Sequence, residues 1–347
     1  MSEKYSVGVI GAGSFGTAVA NLLAENSHVY LYSRRPDYVE QMEQTRSSSG
    51  QALHQNITPV HDIGRVAKEC YVLFPIVSSD GFKDTIRTMS PFLRPDHILI
   101  HGTKGLALKK KGLEKLKEKS RISGKNVLTM SQLIRRESVV VRIGCLAGPN
   151  LAREIAQGFP AATVIASRFD EVIHEGHRLL TSPRFQVYGS HDIVGVELAG
   201  VLKNILAIGS GAVSGLGLGE NARALFITKG WAEIIKLSEV LGADVKSFLG
   251  LAGIGDIIAT CSSPNSRNFS VGYRLAKGEK IQEIRDSMEE VAEGINTIRI
   301  ANGLANFHGI HCPIIKTLYQ GIFEDLNVQT GIEYLMRSRK SMDVEFL

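Results

Sequence analysis

Cysteine is scarce in this chain. Its four cysteines, Cys70, Cys145, Cys261 and Cys312, stand far apart and form no C-x-x-C pair. That argues against a disulfide framework and a zinc site, and fits a reduced, cytoplasmic protein. His308 and His311 lack a third ligand and are read as structural, so no metal is expected. The start, Met1-Ser2-Glu3-Lys4, carries a charge pair before a glycine-broken strand, which is not the pattern of a signal peptide. Charge of one sign is not in large excess either, the formal net charge being +5. The densest basic run, Lys109 to Lys125, is interrupted by Glu114 and Glu118 and holds no aromatic residue on which a base could stack. It reads as a solvated helix face, and no nucleic-acid partner is expected. A long apolar run is missing too. The longest uncharged stretch, Asn204 to Gly219, carries Gly209, Gly211, Gly215, Gly217 and Gly219; it reads as buried backbone near a site and not as a membrane span.

What is present suits a two-domain globular protein. The 347 residues exceed one typical domain, and 44% hydrophobic against 22% charged residues suffice for sizeable cores. From Ser6 to about Val187, short apolar runs alternate with longer amphipathic ones. Expected strands include Cys70–Phe74, Ile98–Ile100, Arg142–Leu146 and Ala162–Ile165; Ser47 to Gly50 reads as a loop. Beyond Tyr188-Gly189-Ser190-His191-Asp192 the pattern turns helical almost throughout. The expected fold is therefore α/β: a Rossmann-like parallel sheet with helices on both faces over residues 1–190, followed by an all-helical carboxyl-terminal domain over 191–347.

The strand Ser6–Ile10 runs directly into Gly11-Ala12-Gly13-Ser14-Phe15-Gly16, and a helix opens at Thr17. This is the dinucleotide fingerprint in the strand–turn–helix context it needs. Gly11 permits the tight turn, Gly13 lets a pyrophosphate approach the backbone, and Gly16 allows close helix–strand packing. The phosphates would rest on the helix N-terminus. After the second strand, Val29–Tyr32, the acid that holds a ribose 2′-hydroxyl is absent, and Arg34 and Arg35 follow Ser33 instead. Guanidinium groups suit a 2′-phosphate, so NADP is accepted alongside NAD. Ordinary solvated loop charges are the competing reading.

Lys203 is the most informative single residue. On a helix, Val196, Ala199, Gly200 and Ala207 share its face, which is apolar and built of small side chains. Burial disfavours the charged form, so its pKa is expected to fall toward neutrality, where it serves proton transfer at a carbonyl or alcohol carbon. A lysine that snorkels to water along its stem is the alternative. Lys104 follows the strand Ile98–Ile100, at the sheet edge where open α/β folds bind ligands. Ala147-Gly148-Pro149-Asn150 is placed likewise, with a helix expected to start near Asn150. Asp256 lies in apolar surroundings and needs a partner or a cap. Ser266, Arg267 and Asn268 precede a helical stretch ending near Ala276, and with the helix N-terminus they form a candidate phosphate clamp or a plain capping turn.

With these residues in place, the chain resembles the NAD(P)-dependent glycerol-3-phosphate dehydrogenases of bacterial type, nearly end to end and most densely from Gly195 to Asn268. The resemblance implies reversible reduction of dihydroxyacetone phosphate to sn-glycerol 3-phosphate with NADPH or NADH, supplying the backbone of glycerophospholipids. It implies Lys203 as proton donor and acceptor, Lys104 in contact with cofactor and substrate, and Asp256 and Thr260 lining the catalytic pocket, with Asp256 and Asn204 expected to hold Lys203 in position. Substrate contacts are implied for Gly148, Asn150, Ser266, Arg267 and Asn268, and cofactor contacts for Ser14, Phe15, Arg34, Arg35, Ala152, Arg267, Val291 and Glu293. A homodimer is also implied. The chain departs from the family pattern in three places: Ala147-Gly148-Pro149-Asn150-Leu151, Ile76-Val77-Ser78, and Arg46 to Thr58.

Overall fold

The computed structural model describes residues 6–109, 117, 119–264, 266–288 and 292–336. The chain divides into two compact units: Met1–Lys104 with Thr129–Glu197, and Gly105–Leu128 with Leu198–Leu347.

The first unit is built on β1 (Ser6–Ile10), α1 (Ser14–Ala24), β2 (Val29–Tyr32), α2 (Pro36–Thr45), β3 (Ser47–Ser48), β4 (Gln51–Ala52), β5 (Ile57–Val60), α3 (Ile63–Glu69), β6 (Cys70–Pro75), α4 (Ser79–Met89) and β7 (Ile98–His101). The next two strands, β8 (Leu106–Leu108) and β9 (Val127–Thr129), form a separate ladder outside the main sheet. The first unit resumes with α5 (Met130–Glu137), β10 (Arg142–Ala147), α6 (Ala152–Ala156), β11 (Ala161–Ser167), α7 (Asp170–Leu180) and β12 (Phe185–Ser190). The main sheet runs β5-β2-β1-β6-β7-β10-β11-β12. Its first six strands follow the order of a dinucleotide-binding sheet.

Register explains the core. Val7 and Val9 of β1 stand opposite Val29 and Leu31 on one side, and opposite Val72 and Phe74 on the other. All six are fully buried. One helix layer packs α1 with α6 and α7, and another packs α3 with α4 and α4 with α5. Right-handed crossovers that progress in opposite directions along the sheet, from β1 to β2 and from β6 to β7, place such layers on opposite faces.

Two expectations need correction here. The sheet is not wholly parallel, since β10 and β11 pair antiparallel. Their connection carries only the five-residue α6 and turns back at the same edge, whereas a parallel pair needs a full crossover. The stretch from Ser47 to Gly50 is no open loop: Ser47 pairs with Ala52 and Ser48 with Gln51, closing a hairpin. Its two turn residues, Ser49 and Gly50, both have positive φ, as a tight hairpin turn of the primed type requires.

The second unit is helical apart from β8 and the start of β9. It holds most of α8 (Ile193–Gly215), then α9 (Gly219–Glu239), α10 (Lys246–Leu249), a π-helical turn (Leu251–Gly255), α11 (Asp256–Cys261), α12 (Arg267–Ala276), α13 (Ile281–Asp286), α14 (Glu293–His308), α15 (Pro313–Phe323) and α16 (Val328–Met336). Helix α8 is long and apolar enough to cross a membrane, yet its most apolar stretch is wholly buried, so it is a core helix. The glycines in and after α8 are spent partly on close packing. A Cβ on Gly211 would collide with Phe269 O of α12, and one on Gly272 of α12 with Ile208 O of α8.

The division also differs from the boundary expected at 190/191. The first unit extends through Glu197, and the stretch 105–128 joins the helical unit. A non-local contact accounts for the second difference: Ile122 N–H donates to Gly303 O on α14 at 2.9 Å, and the Ile122 side chain fills the space beside Gly303. Of the basic run after Lys109, residues 110–116 and 118 lie outside the described residues.

Candidate active site

In the first unit, β2 and β6 flank β1, and the sheet order changes direction between β1 and β6. The carboxyl ends of those strands open the crevice in which folds of this kind bind ligands. Gly11 turns there with φ +123°, and a Cβ on it would collide with Ile76 O. A Cβ on Gly16 would strike Gly11 O. Both positions therefore need glycine. Gly13 differs, because the space its Cβ would take is open. It is the N-cap of α1 and supplies no side-chain cap. The first N–H groups of α1 are thus presented to an anion, and the cradle fits the pyrophosphate of NAD or NADP.

The other expected cofactor positions gather around the same edge. Ser14 and Phe15 open α1, and the Phe15 ring rests on Gly102 after β7. Arg34 and Arg35 are exposed just beyond β2, with the Arg35 guanidinium 4.6 Å from the centre of the Tyr38 ring. Ala152 starts α6 and packs on the core of the unit, so the helix begins slightly later than Asn150. Between the loops after β6 and β7, Thr103 Oγ1 donates to Val77 O at 2.7 Å and accepts from Val77 N–H at 3.3 Å. Lys104 Nζ donates to Gly148 O at 3.4 Å, which joins the loops after β7 and β10.

Asn150 is engaged at both ends of its amide. Nδ2 donates to Ala162 O at 2.9 Å, and Oδ1 accepts from Thr163 Oγ1 at 2.9 Å. In this geometry the amide shapes the Gly148–Asn150 turn, where Gly148 holds φ +148°.

The second unit assembles the lysine cluster. Lys203 is only 4% exposed and Asp256 2%. Lys203 Nζ donates to Asp256 Oδ1 at 2.7 Å and also to Thr260 Oγ1. Thr260 lies one turn after Asp256 on α11 and donates to Oδ1 at 3.3 Å. The snorkelling alternative is thereby excluded. The burial argument left this ammonium without a counter-ion, and Asp256 supplies one. Cys261 follows Thr260, and burial pushes its thiol up to about 12, which removes it as a nucleophile.

Helix α12 begins beside this cluster in sequence. Ser266 is its N-cap, accepting from Phe269 N–H at 3.3 Å, so both the capping turn and an anion-facing helix end are present. Arg267 is exposed at the first helical position, whereas Asn268 is buried. Asn268 Oδ1 accepts from Gly294 N–H at 2.9 Å. A Cβ on Gly294 would stand 2.7 Å from Asn268 Oδ1 and 2.8 Å from Asn204 O. Asn204, Asn268 and the start of α14 at Glu293 are therefore gathered in one place. Val291 lies outside the described residues.

Sequence reasoning overlooked two features. The β3–β4 hairpin folds back onto the glycine-rich loop, a contact invisible in a run of serines. Glu197, at the end of the first unit, is a buried carboxylate 3.0 Å from His101 Nε2, and Ser131 N–H and Oγ both donate to it. Burial would raise the Glu197 pKa, but the neighbouring imidazole and the Ser131 hydrogen bonds bring it below its ordinary value. A lone acid in the apolar run from Val194 to Leu202 was the available signal.

Comparison with known proteins shows the family. The family profile described as NAD-dependent glycerol-3-phosphate dehydrogenase N-terminus matches residues 6–173, and the corresponding C-terminus profile matches 192–333. A glycerol-3-phosphate dehydrogenase [NAD(P)+] of Pseudomonas putida is 39% identical over 352 residues, spanning 100% of this chain and 98% of that protein. One from Teredinibacter turnerae is 37% identical over 350 residues, covering 99% and 98%. Among solved structures, glycerol-3-phosphate dehydrogenase from Coxiella burnetii superposes with a TM-score of 0.85 at 31% identity, over 96% of this chain and 99% of that one.

Proposed function

Because the chain belongs to the NAD(P)-dependent glycerol-3-phosphate dehydrogenase family, we propose that Lys203 is the acid and base of its reaction, positioned by Asp256 and Thr260. The enzyme interconverts dihydroxyacetone phosphate and sn-glycerol 3-phosphate with NAD or NADP, a step that supplies the glycerophospholipid backbone. The observation that carries the proposal is the buried Lys203–Asp256–Thr260 cluster.

When bound, the reduced nicotinamide supplies the hydride. Lys203 Nζ donates its proton to the oxygen on which negative charge develops, and an ammonium already in place offsets that charge as it forms. Asp256 compensates the ammonium while the pocket is dry, and Thr260 fixes the direction of Nζ. In the reverse direction neutral Lys203 takes the hydroxyl proton. Arg267, with Ser266, Asn268 and the amino end of α12, binds the substrate phosphate; Lys104 orients the carbonyl end. Gly11, Gly13, Ser14, Phe15 and Gly16 hold the dinucleotide, and Arg34 and Arg35 receive the 2′-phosphate when it is present. We assign Glu293 and Ala152 to the cofactor as well, in keeping with the resemblance. A homodimer in the cytoplasm is the expected state, and the four free, buried cysteines suit a reducing compartment. Sedimentation equilibrium tests the dimer.

The test of Lys203 follows the absorbance of the reduced nicotinamide on adding dihydroxyacetone phosphate. Lys203→Ala should nearly abolish turnover while cofactor binding persists, because the loss lies in proton transfer. A folded Lys203→Ala enzyme with near-normal turnover removes this role.

A further inference from the structure

We propose that the β3–β4 hairpin is a clasp whose side chains Ser48, Ser49 and Gln51 preset the glycine-rich loop for a pyrophosphate, making them positioning residues for the cofactor. This rests on the assignment of Gly11 to Gly16 to the dinucleotide.

The geometry is specific. Ser48 Oγ and Ser49 Oγ each donate to Ala12 O at 3.1 Å. Gln51 Nε2 donates to Ser14 O at 2.8 Å. Three side-chain donors from one hairpin thus take the carbonyl oxygens on either side of Gly13. Carbonyl oxygens are the groups of a phosphate loop that repel an anion, and the N–H groups are those that attract it. Holding Ala12 O and Ser14 O on the hairpin fixes their peptide planes. That keeps the carbonyls engaged away from the ligand before it arrives, so less ordering remains to be done on binding.

Proton bookkeeping gives the clasp a direction. Ser48 has one hydroxyl proton, and Ala12 O receives it. Its other contacts must then donate to it: Thr17 Oγ1 at 2.9 Å and Tyr38 Oη at 3.1 Å. Tyr38 Oη in turn accepts from Ser49 N–H at 2.9 Å. The chain Ser49 N–H to Tyr38 to Ser48 to Ala12 O therefore runs one way, and it ends on the loop. The turn that makes it possible is costly by itself, because Ser49 adopts φ +48°, a region few non-glycine residues occupy. A glycine at 49 would relieve that cost, but would carry no hydroxyl to Ala12. The segment is also one of those in which this chain departs from the family pattern.

Titration calorimetry with two probes tests the clasp. ADP-ribose carries the pyrophosphate; adenosine 2′-phosphate does not, and reports the adenosine end alone. The wild-type protein should bind both, and failure to bind ADP-ribose would dispose of the dinucleotide assignment itself. In Ser49→Ala/Gln51→Ala, ADP-ribose affinity should fall roughly fivefold for each hydrogen bond lost. The Michaelis constants for NADPH and NADH should rise in equal proportion, with kcat and adenosine 2′-phosphate affinity unchanged. Tyr38→Phe keeps the ring under Arg35 and deletes the donor to Ser48. It should weaken ADP-ribose more mildly in the same pattern, and it provides the test if the double variant does not fold. Unchanged ADP-ribose affinity in the folded variants overturns the proposal. So does an equal loss of both probes, which would mark the hairpin as general scaffolding.

Discussion

Lys203 and Asp256 form an ion pair at 2.7 Å across fifty-three residues of chain, with both side chains almost wholly removed from water. Each charge is tolerable there only because of the other. Removing Asp256 leaves a buried ammonium uncompensated, so Asp256→Ala should cost about 3–5 kcal/mol of stability in urea denaturation. Replacing both partners, as in Lys203→Met/Asp256→Leu, should recover much of that loss while remaining inactive. Equal stability of the single and double variants would show that the pair is not what the site depends on for folding.

Arg34→Ala with Arg35→Ala should weaken NADPH much more than NADH, since only NADPH carries the 2′-phosphate. Both arginines are exposed, and the Arg35 guanidinium lies against the Tyr38 ring. Matched losses for the two cofactors in steady-state kinetics would make these residues ordinary solvated charges.

Arg267→Ala should raise the Michaelis constant for dihydroxyacetone phosphate sharply. A charge-assisted hydrogen bond from this arginine to the phosphate should be worth about 1.5–3 kcal/mol. Arg267→Lys should restore only part, because a point charge lacks the planar fork. The weak activity toward unphosphorylated dihydroxyacetone should barely move. Proportional loss on both substrates would take the phosphate away from Arg267.

Acid should destabilise the first unit partly through His97. Its Nδ1 accepts from Arg94 N–H at 2.8 Å and its Nε2 lies 2.9 Å from Ala67 O, an arrangement that a neutral ring protonated on Nε2 satisfies completely. Burial, and then the nearby Arg94 charge, lower its pKa from the ordinary 6.5. Below pH 6.5 the unfolded chain therefore binds the proton more readily than the folded one, and stability falls as pH falls. Above it the contribution is fully present. His97→Gln should lower stability at neutral pH and flatten its slope between roughly pH 7 and 5, the region where histidine titrates. An unchanged slope in denaturation across that range would exclude His97 as a source.

Much of the first unit was legible because its signals are local. Alternating apolar runs marked the strands, and the spacing of Gly11, Gly13 and Gly16 marked the turn. Lys203 stood out as a charge on a face of small apolar residues. The features that escaped are made by partners distant in sequence. Ser47 to Ala52 is polar and glycine-containing, which by composition is a loop; it is held by partners distant in sequence, among them Ala12, Ser14 and Thr17. The stretch 105–128 was assigned to the sheet by order along the chain, whereas Ile122 binds Gly303 on α14. The antiparallel β10–β11 pair escaped because strand patterns carry no direction. Asp256 was recognised as needing a partner, but no spacing in the sequence names Lys203, fifty-three residues away, as its counter-ion.

Helices α8 and α12 touch main chain to main chain where Gly211 meets Phe269 and Gly272 meets Ile208. One carries the proposed acid, Lys203, and the other begins with the proposed phosphate ligands. Their separation is accordingly gauged by peptide groups, with no side chain between them to be trimmed or enlarged. In the proposed reaction, that gauge measures the interval from a substrate's carbonyl to its phosphate. A longer substrate could not be admitted by shaving a residue at this contact, since nothing there remains to shave, and a single added methyl would push the two ends of the ruler apart.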